Sequence, residues 1–513
     1  MKKKAPKLSK KAFGAIGQSK TKISETSEDF MDDGAIEEES GDRWLGSDLA
    51  KALRFYQKAY ISYKSAVATP TSDRALLLDA HYNAARLLFH VFIQYSKTDG
   101  IDVHKLTNVG EVLTGDDNSV VQNISTIVEA HERALQVEPA NPPLDLQYNA
   151  ALVYTEAIEE ADDVNEDLLL KAMSLFQEVL RRQVMEFQDF LQFMLEPEQP
   201  TSSEVPSEDQ QYSSSKTTQP PDIIETIISA YGLVQAILES VTSAPGQLEY
   251  VISLVTPFVQ ALEEVASETT EKYNEQNNHQ EFVTSLQLDQ IHEYLVVKTT
   301  CQALSTNSYK DACSAFEQID LNISEWNMSA ADSIDTILER HEVYQNPSKA
   351  CVAEYWDALT NMNNFLKKAQ ELLSAKLQET KTKNSTNTEV GLGSLIAQIC
   401  KVFIARADVD LQRSQLEHEI AKMNSTVLFN NAKAFLKSAI NMSKTSGGIR
   451  EKVVEKAQKE RRRIEASSRL CVLERNFDEE ELNSTFGKGQ WENDFANYRD
   501  LWYFQKFFPT SSH

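Results

Sequence analysis

The residues best suited to metal or acid–base chemistry are the nine histidines: His81, His90, His104, His131, His279, His292, His341, His418 and His513. Four of them (His131, His292, His341, His418) precede a Glu, yet none has a second His four residues on. A helical H-E-x-x-H zinc site is therefore not encoded. His81 and His131 fall on inward or groove positions of amphipathic stretches, where a hydrogen-bonded core histidine is the expected role. The five cysteines, Cys301, Cys313, Cys351, Cys400 and Cys471, contain no C-x-x-C. That spread fits reduced core thiols better than a disulfide framework or a zinc cluster. Gly487-Lys488-Gly489 lacks the Ser/Thr and the glycine spacing of a phosphate-binding loop, and no G-x-S-x-G elbow occurs. Carboxylate pairs such as Glu159-Glu160 and Glu263-Glu264 are common. With 77 acidic residues in 513, solvated helix faces account for them. No catalytic residue, metal or cofactor is expected, and the chain reads as a non-enzyme.

The elements around these residues read as helices. Leu49, Leu53, Tyr56, Tyr60 and Tyr63 recur at spacings of four and three, one apolar face of a helix. Pro70, Ser72 and Asp73 then supply a stop and a cap before a second helix. Periodicity resumes at Val121, Ile124, Val128, His131 and Leu135, and a long seam runs from Leu169 through Phe176, Leu180 and Phe187 to Met194. Further helices are expected across 223–379 and 392–476. The last is a closing helix whose face carries Trp491, Phe495, Tyr498 and Trp502. Sixteen Gly and fourteen Pro are too few for the many tight turns of a β-sandwich or barrel. No apolar run approaches the ~18 residues of a membrane helix, and the N-terminus lacks a signal-peptide core.

An internal repeat accompanies the helices. Asp79-x-x-Tyr82-Asn83-Ala84-Ala85 recurs as Asp145-x-x-Tyr148-Asn149-Ala150-Ala151, 66 residues later. Ala130, Ala134, Leu135, Pro139, Asn141 and Pro142 form a helix end that precedes the second copy. These residues resemble the divergent tetratricopeptide repeat, whose period is about 34 residues. Small Ala residues let paired helices approach while Tyr and Leu fill the groove between them. The resemblance implies an all-α fold of stacked antiparallel helix pairs, a TPR-like α-solenoid with a concave protein-binding groove. Its expected lining is Tyr82, Asn83, Tyr148 and Asn149, with Glu156 and Glu159 nearby. Asn83 and Asn149 stand where some family members clamp a C-terminal carboxylate. The basic partners of such a clamp are missing from the helix ETIISAYGLVQAIL, so Asn bonding to backbone is the favoured role.

The expected organisation runs in order: a disordered basic-then-acidic tail (1–43), TPR-like repeats (44–195) and a Ser/Pro/Gln-rich linker (196–222). Helical repeats (223–379), a polar linker (380–391) and a C-terminal helical region (392–513) follow. Residues 1–22 hold eight Lys and no acid; the remainder then carries a net charge of −34 within a total of −26. Lys2, Lys3, Lys4, Lys7, Lys10 and Lys11 are a candidate nuclear import signal. An acidic body disfavours direct nucleic-acid or anionic-membrane binding and favours a basic polypeptide. The expected function is a non-catalytic adaptor, a dedicated chaperone or escort shielding a basic client of ribosomal-protein or histone character. It would work in the cytoplasm and nucleus. The alternatives are a scaffold subunit held by apolar helix faces, or an RNA-associated factor using the basic run 451–470. That run is interleaved with Glu, so ion pairs along a helix also explain it.

Overall fold

The computed structural model describes residues 25–161, 165–195, 217–319, 321–341, 351–383 and 391–509. Among them the regular structure is helical apart from one isolated bridge between Asn274 and Leu286. The all-α expectation holds. The contacts divide the chain differently from the linear parse. One compact unit combines residues up to Gln122 with Thr306 onward, and the second is Asn123–Ser305.

In the first unit, α1 (Ser27–Leu45), α2 (Leu49–Ala68) and α3 (Arg74–Val91) form an N-terminal triplet. Residues 25–43, expected to be part of a disordered tail, are ordered here as α1. Thr26 and Asp29 close a capping box at its start. Its inner face is made of Gly34, Ala35, Glu38 and Gly41 rather than large apolar residues, which is why periodicity missed it. The two glycines exist to admit tyrosine rings. A Cβ on Gly34 would lie 2.4 Å from Tyr63, and one on Gly41 2.4 Å from Tyr56. The carboxylates on the same face are partnered: Glu38 accepts from Tyr63 (2.9 Å) and Arg86 (2.7 Å), and Asp42 accepts from Tyr56 (2.7 Å). Residues 1–24, including the six candidate import lysines, lie outside the described residues.

The rest of this unit is α10 (Tyr309–Glu317), α11 (Ser324–Arg340), α12 (Val352–Lys383), α13 (Leu392–Arg413), α14 (Glu419–Ser443), α15 (Val453–Glu474), α16 (Glu479–Phe486), α17 (Glu492–Asp500) and α18 (Trp502–Gln505). The centre is α13, packed against α12, α14 and α15, with Ile396, Ile399 and Cys400 fully buried. The backbone amide of Val453 donates to Gly46, and Arg462 pairs with Asp99, so α15 ties the N-terminal triplet to this body. The expected closing helix is broken at Leu501, which is extended, into α17 and α18. Phe495 and Tyr498 are buried as a seal, while Trp502 and Tyr503 turn to a different task described below.

The second unit is α4 (Ile124–Val137), α5 (Leu144–Glu159), α6 (Glu166–Leu195), α7 (Pro220–Glu239), α8 (Gln247–Lys272) and α9 (Leu288–Leu304). The expected linker 196–222 is helix from Pro220, and residues 196–216 lie outside the described ones. Ala134, Ala150 and Ala151, all fully buried, let α4 and α5 pack closely, as the repeat implies. At its centre, α7 touches α5, α6, α8 and α9. Contrary to the sequence expectation, this helix is long and apolar enough to cross a membrane. Here Ile223, Ile224, Ile227, Leu233, Val234, Ile237 and Leu238 are buried within the unit, each contributing about 1.5–3 kcal/mol to that packing.

Candidate functional site

The six expected groove residues are divided between the two compact units. Tyr82 and Asn83 belong to the first unit, and Tyr148, Asn149, Glu156 and Glu159 to the second. Both asparagines turn back on their own helix: Asn83 donates to the Asp79 carbonyl (2.8 Å) and Asn149 to the Asp145 carbonyl (2.9 Å). That repeats the same local bond at both copies of the motif. The Tyr148 hydroxyl meets Ser229 of α7 at 2.8 Å and its ring meets Phe176 edge-on, so it joins helices. Glu159 is exposed and Glu156 half-buried. His131 is fully buried, its Nδ1 2.9 Å from the Ile127 carbonyl, and burial pushes its pKa down to about 4. It is a neutral core histidine. The cysteines are free, and burial raises Cys313 and Cys471 to about 11, far from a reactive thiolate.

A cleft of about 640 Å³ in the first unit gathers groups that sequence reading left apart. Three helices each present residues spaced by three and four, the spacing that keeps side chains on one helical face. From α11 come Asp332, Asp335 and Glu339; from α13, Lys401, Ala405, Asp408 and Gln412; from α15, Arg462, Glu465 and Arg469. Tyr355 of α12 and Asp500, Trp502 and Tyr503 from the break between α17 and α18 complete the lining. Ala331 and Ile334, which do not line the cleft, anchor α11 in the core.

Six carboxylates thus face three cations. The cations are largely committed. Arg469 donates through Nε to both Asp408 oxygens (3.0 and 3.1 Å), and its Nη1 donates to the Tyr498 hydroxyl (3.0 Å). Arg462 is shared by Glu465 and Asp99, while Lys401 stands 3.9 Å from Asp332. Asp335 and Asp500 have no hydrogen-bond or ion-pair partner among the described residues. Burial, then the nearby Glu339, Asp332 and Asp408, push the Asp335 pKa up to about 7. Asp332 and Glu339 are open to solvent, yet desolvation raises both, because the cleft walls displace water around them. Burial also lifts Asp408, with Arg469 opposing. The Tyr503 side chain is 8% exposed, and its hydroxyl has no partner among the described residues. Among those residues no group of three or more His, Cys, Asp or Glu is arranged to hold a metal ion. The arrangement can neutralise and hydrogen-bond a cationic group.

The basic run 451–470 is α15 in large part, and its arginines are paired. Arg461 meets Glu465 at 3.1 Å, Arg462 meets Glu465 at 2.6 Å, and Arg463 meets Glu460 at 2.5 Å. Lys459 is buried against Glu451 at 2.6 Å. These bonds match the ion-pair explanation of the run.

Comparisons with known proteins take in most of the chain, including the helices that line the cleft. A family model described as "YNL193W C-terminal domain" matches residues 318–501, from α11 through α17. The chain is also similar to a Saccharomyces cerevisiae protein described as "Uncharacterized protein YNL193W". That protein is 22% identical over 508 residues, covering 88% of this chain and 90% of the yeast protein. No solved structure matches. The chain is thus similar along most of its length to this yeast protein, and the family-model match takes in three of the cleft's helical walls.

Proposed function

We propose that the protein is a non-catalytic adaptor, a chaperone or escort that shields a basic client, working in the cytoplasm and nucleus. The observation that carries this reading is the acidic cleft, with six carboxylates against three mostly paired cations. Partly desolvated carboxylates bind a lysine or arginine more strongly than solvated ones, because protein walls screen less than water. Tyr355 and Trp502 supply apolar and aromatic surface for the aliphatic stem of such a side chain. The TPR-like α4–α5 pair supports the same class of function through its family resemblance.

The test is affinity purification of the tagged full chain at about 0.1 M and about 0.5 M salt, the lower corresponding to a Debye length of ~10 Å. The reading expects a basic protein, near-stoichiometric at low salt, lost at high salt, and lost at low salt from an Asp332→Asn/Asp335→Asn/Glu339→Gln chain. Partners unmoved by salt and by these substitutions overturn it. They would favour the scaffold reading, for which the exposed stripe Ile420, Met423 and Val427 on α14 is the supporting observation.

A further inference from the structure

The cleft presents its charges at regular intervals, and those intervals suit one kind of small molecule. We propose that the cleft binds a linear aliphatic polyamine of the spermidine class, as a free ligand rather than a side chain of a protein. The inference goes beyond the proposed function and shares with it only the reading of the cleft as a site for cationic groups.

Spacing carries the inference. Asp332, Asp335 and Glu339 follow one another along α11 at three and four residues. That places them at axial steps of about 4.5 and 6 Å on one helical face. Spermidine joins its three nitrogens through a three-carbon and a four-carbon spacer. Single bonds of about 1.5 Å at near-tetrahedral angles put those nitrogens about 5 and 6 Å apart in the extended chain. Each nitrogen can therefore stand opposite one carboxylate of the stripe. Charge agrees: six ionised carboxylates against three cations leave the cleft three negative charges, and spermidine carries three positive ones. Its charges lie in its own backbone, so only methylenes remain to be housed, and Tyr355, Met362 and Trp502 line the same cleft. A volume of about 640 Å³ is in the range of small-molecule sites.

A second, independent observation is Tyr503. Its side chain is 8% exposed, and its hydroxyl has no partner among the described residues. Burial, then Asp408, raise its pKa well above that of an ordinary phenol; Arg469 opposes, and Asp335 and Tyr355 add to the rise. All four of those neighbours line the cleft, so the hydroxyl is directed into it. A buried hydroxyl is costly to leave unbonded, and an ammonium N–H donates to its oxygen. Asp335 and Asp500 likewise lack partners among the described residues. The acids are strung out along the walls: among those residues no group of three or more is gathered to hold a metal ion, which favours an extended cation over a compact one.

The test is isothermal titration calorimetry of the full chain at about 0.1 M salt, with spermidine and with hexaamminecobalt(III), a compact cation of the same charge. Spermidine should bind one per chain with a Kd of about 10–100 μM. Hexaamminecobalt(III) should bind about 10-fold more weakly or worse. Tyr503→Phe should weaken spermidine about 3–10-fold. Asp332→Asn/Asp335→Asn/Glu339→Gln should weaken it about 30–100-fold. Glu159→Gln/Glu160→Gln, in the second unit, should change nothing. Equal affinity for the two cations overturns the inference, and this comparison needs no variant to fold. Spermidine binding unmoved by both cleft variants overturns it as well. No spermidine binding while a basic protein is still recovered at low salt overturns the inference and leaves the client reading standing. Spermidine binding with no basic protein recovered supports the inference and removes the client reading.

Discussion

Replacing Gly34 with Ala gives opposite signs for a solvated α1 and for an α1 packed on α2. On a solvated or loosely attached helix, Ala is better than Gly by about 1 kcal/mol, so Gly34→Ala stabilises. In the packed α1–α2 pair the new methyl would stand 2.4 Å from Tyr63 Cε1 and 2.6 Å from Cδ1, against the 3.5–4.0 Å of a favourable carbon contact. The ring has little room, since Tyr63 is 1% exposed. Forcing it aside costs about 1–3 kcal/mol as overpacking. Moving the ring also pulls its hydroxyl from Glu38, a buried charge-assisted bond of 2.9 Å worth about 1.5–3 kcal/mol. After subtracting the propensity gain, the net is about 1.5–5 kcal/mol of destabilisation. Because two compact units need not unfold together, a single global transition is the wrong readout. Native-state hydrogen exchange by mass spectrometry reads the local opening instead. Amides of α1 and of the facing turns of α2 should exchange about 10–4,000-fold faster, at 1.4 kcal/mol per tenfold. Gly41→Ala should behave alike through Tyr56. Exchange that is unchanged or slower in both variants would refute the reasoning.

Asp335→Asn should stabilise the protein at neutral pH. The folded state holds a proton up to about pH 7 that the unfolded chain releases near 3.8, so the native contribution of Asp335 falls as pH rises through that window. Denaturation midpoints of wild type and variant should converge at pH 4 and separate by pH 7; parallel curves would contradict the assignment. His131 works in the other direction: the unfolded chain takes a proton near pH 6.5 that the folded state refuses until about 4. Stability should fall as pH drops across that interval, and the His131 ring signal in NMR should stay unprotonated at pH 5.5. Arg469→Leu leaves Asp408 without its cation and should cost about 3–5 kcal/mol. Adding Asp408→Leu should recover most of that loss, and additive losses in a double-mutant cycle would show that the pair is not coupled.

Sequence by itself determined the helices, because caps and periodicity are local. Asp48, Asp73, Asn123 and Ser308 cap helices whose seams were legible beforehand, and Asp478 caps α16, which lies inside the expected C-terminal helical region. Asn83 and Asn149 likewise behave as their own helices dictate. Two features escaped. The face of α1 is built from Gly34, Glu38 and Gly41, which reads as polar until Tyr56 and Tyr63 are placed against it. The stripe Asp332, Asp335 and Glu339 has helical spacing that was available in the sequence, but such a stripe is ordinarily a solvated face. What makes it a site is the facing wall of Asp408, Glu465 and Asp500, more than sixty residues away in the chain. Periodicity tells which residues share a face. Only tertiary packing decides whether that face meets water, a tyrosine ring or another row of carboxylates, and that neighbour sets the dielectric, the charge and hence the chemistry.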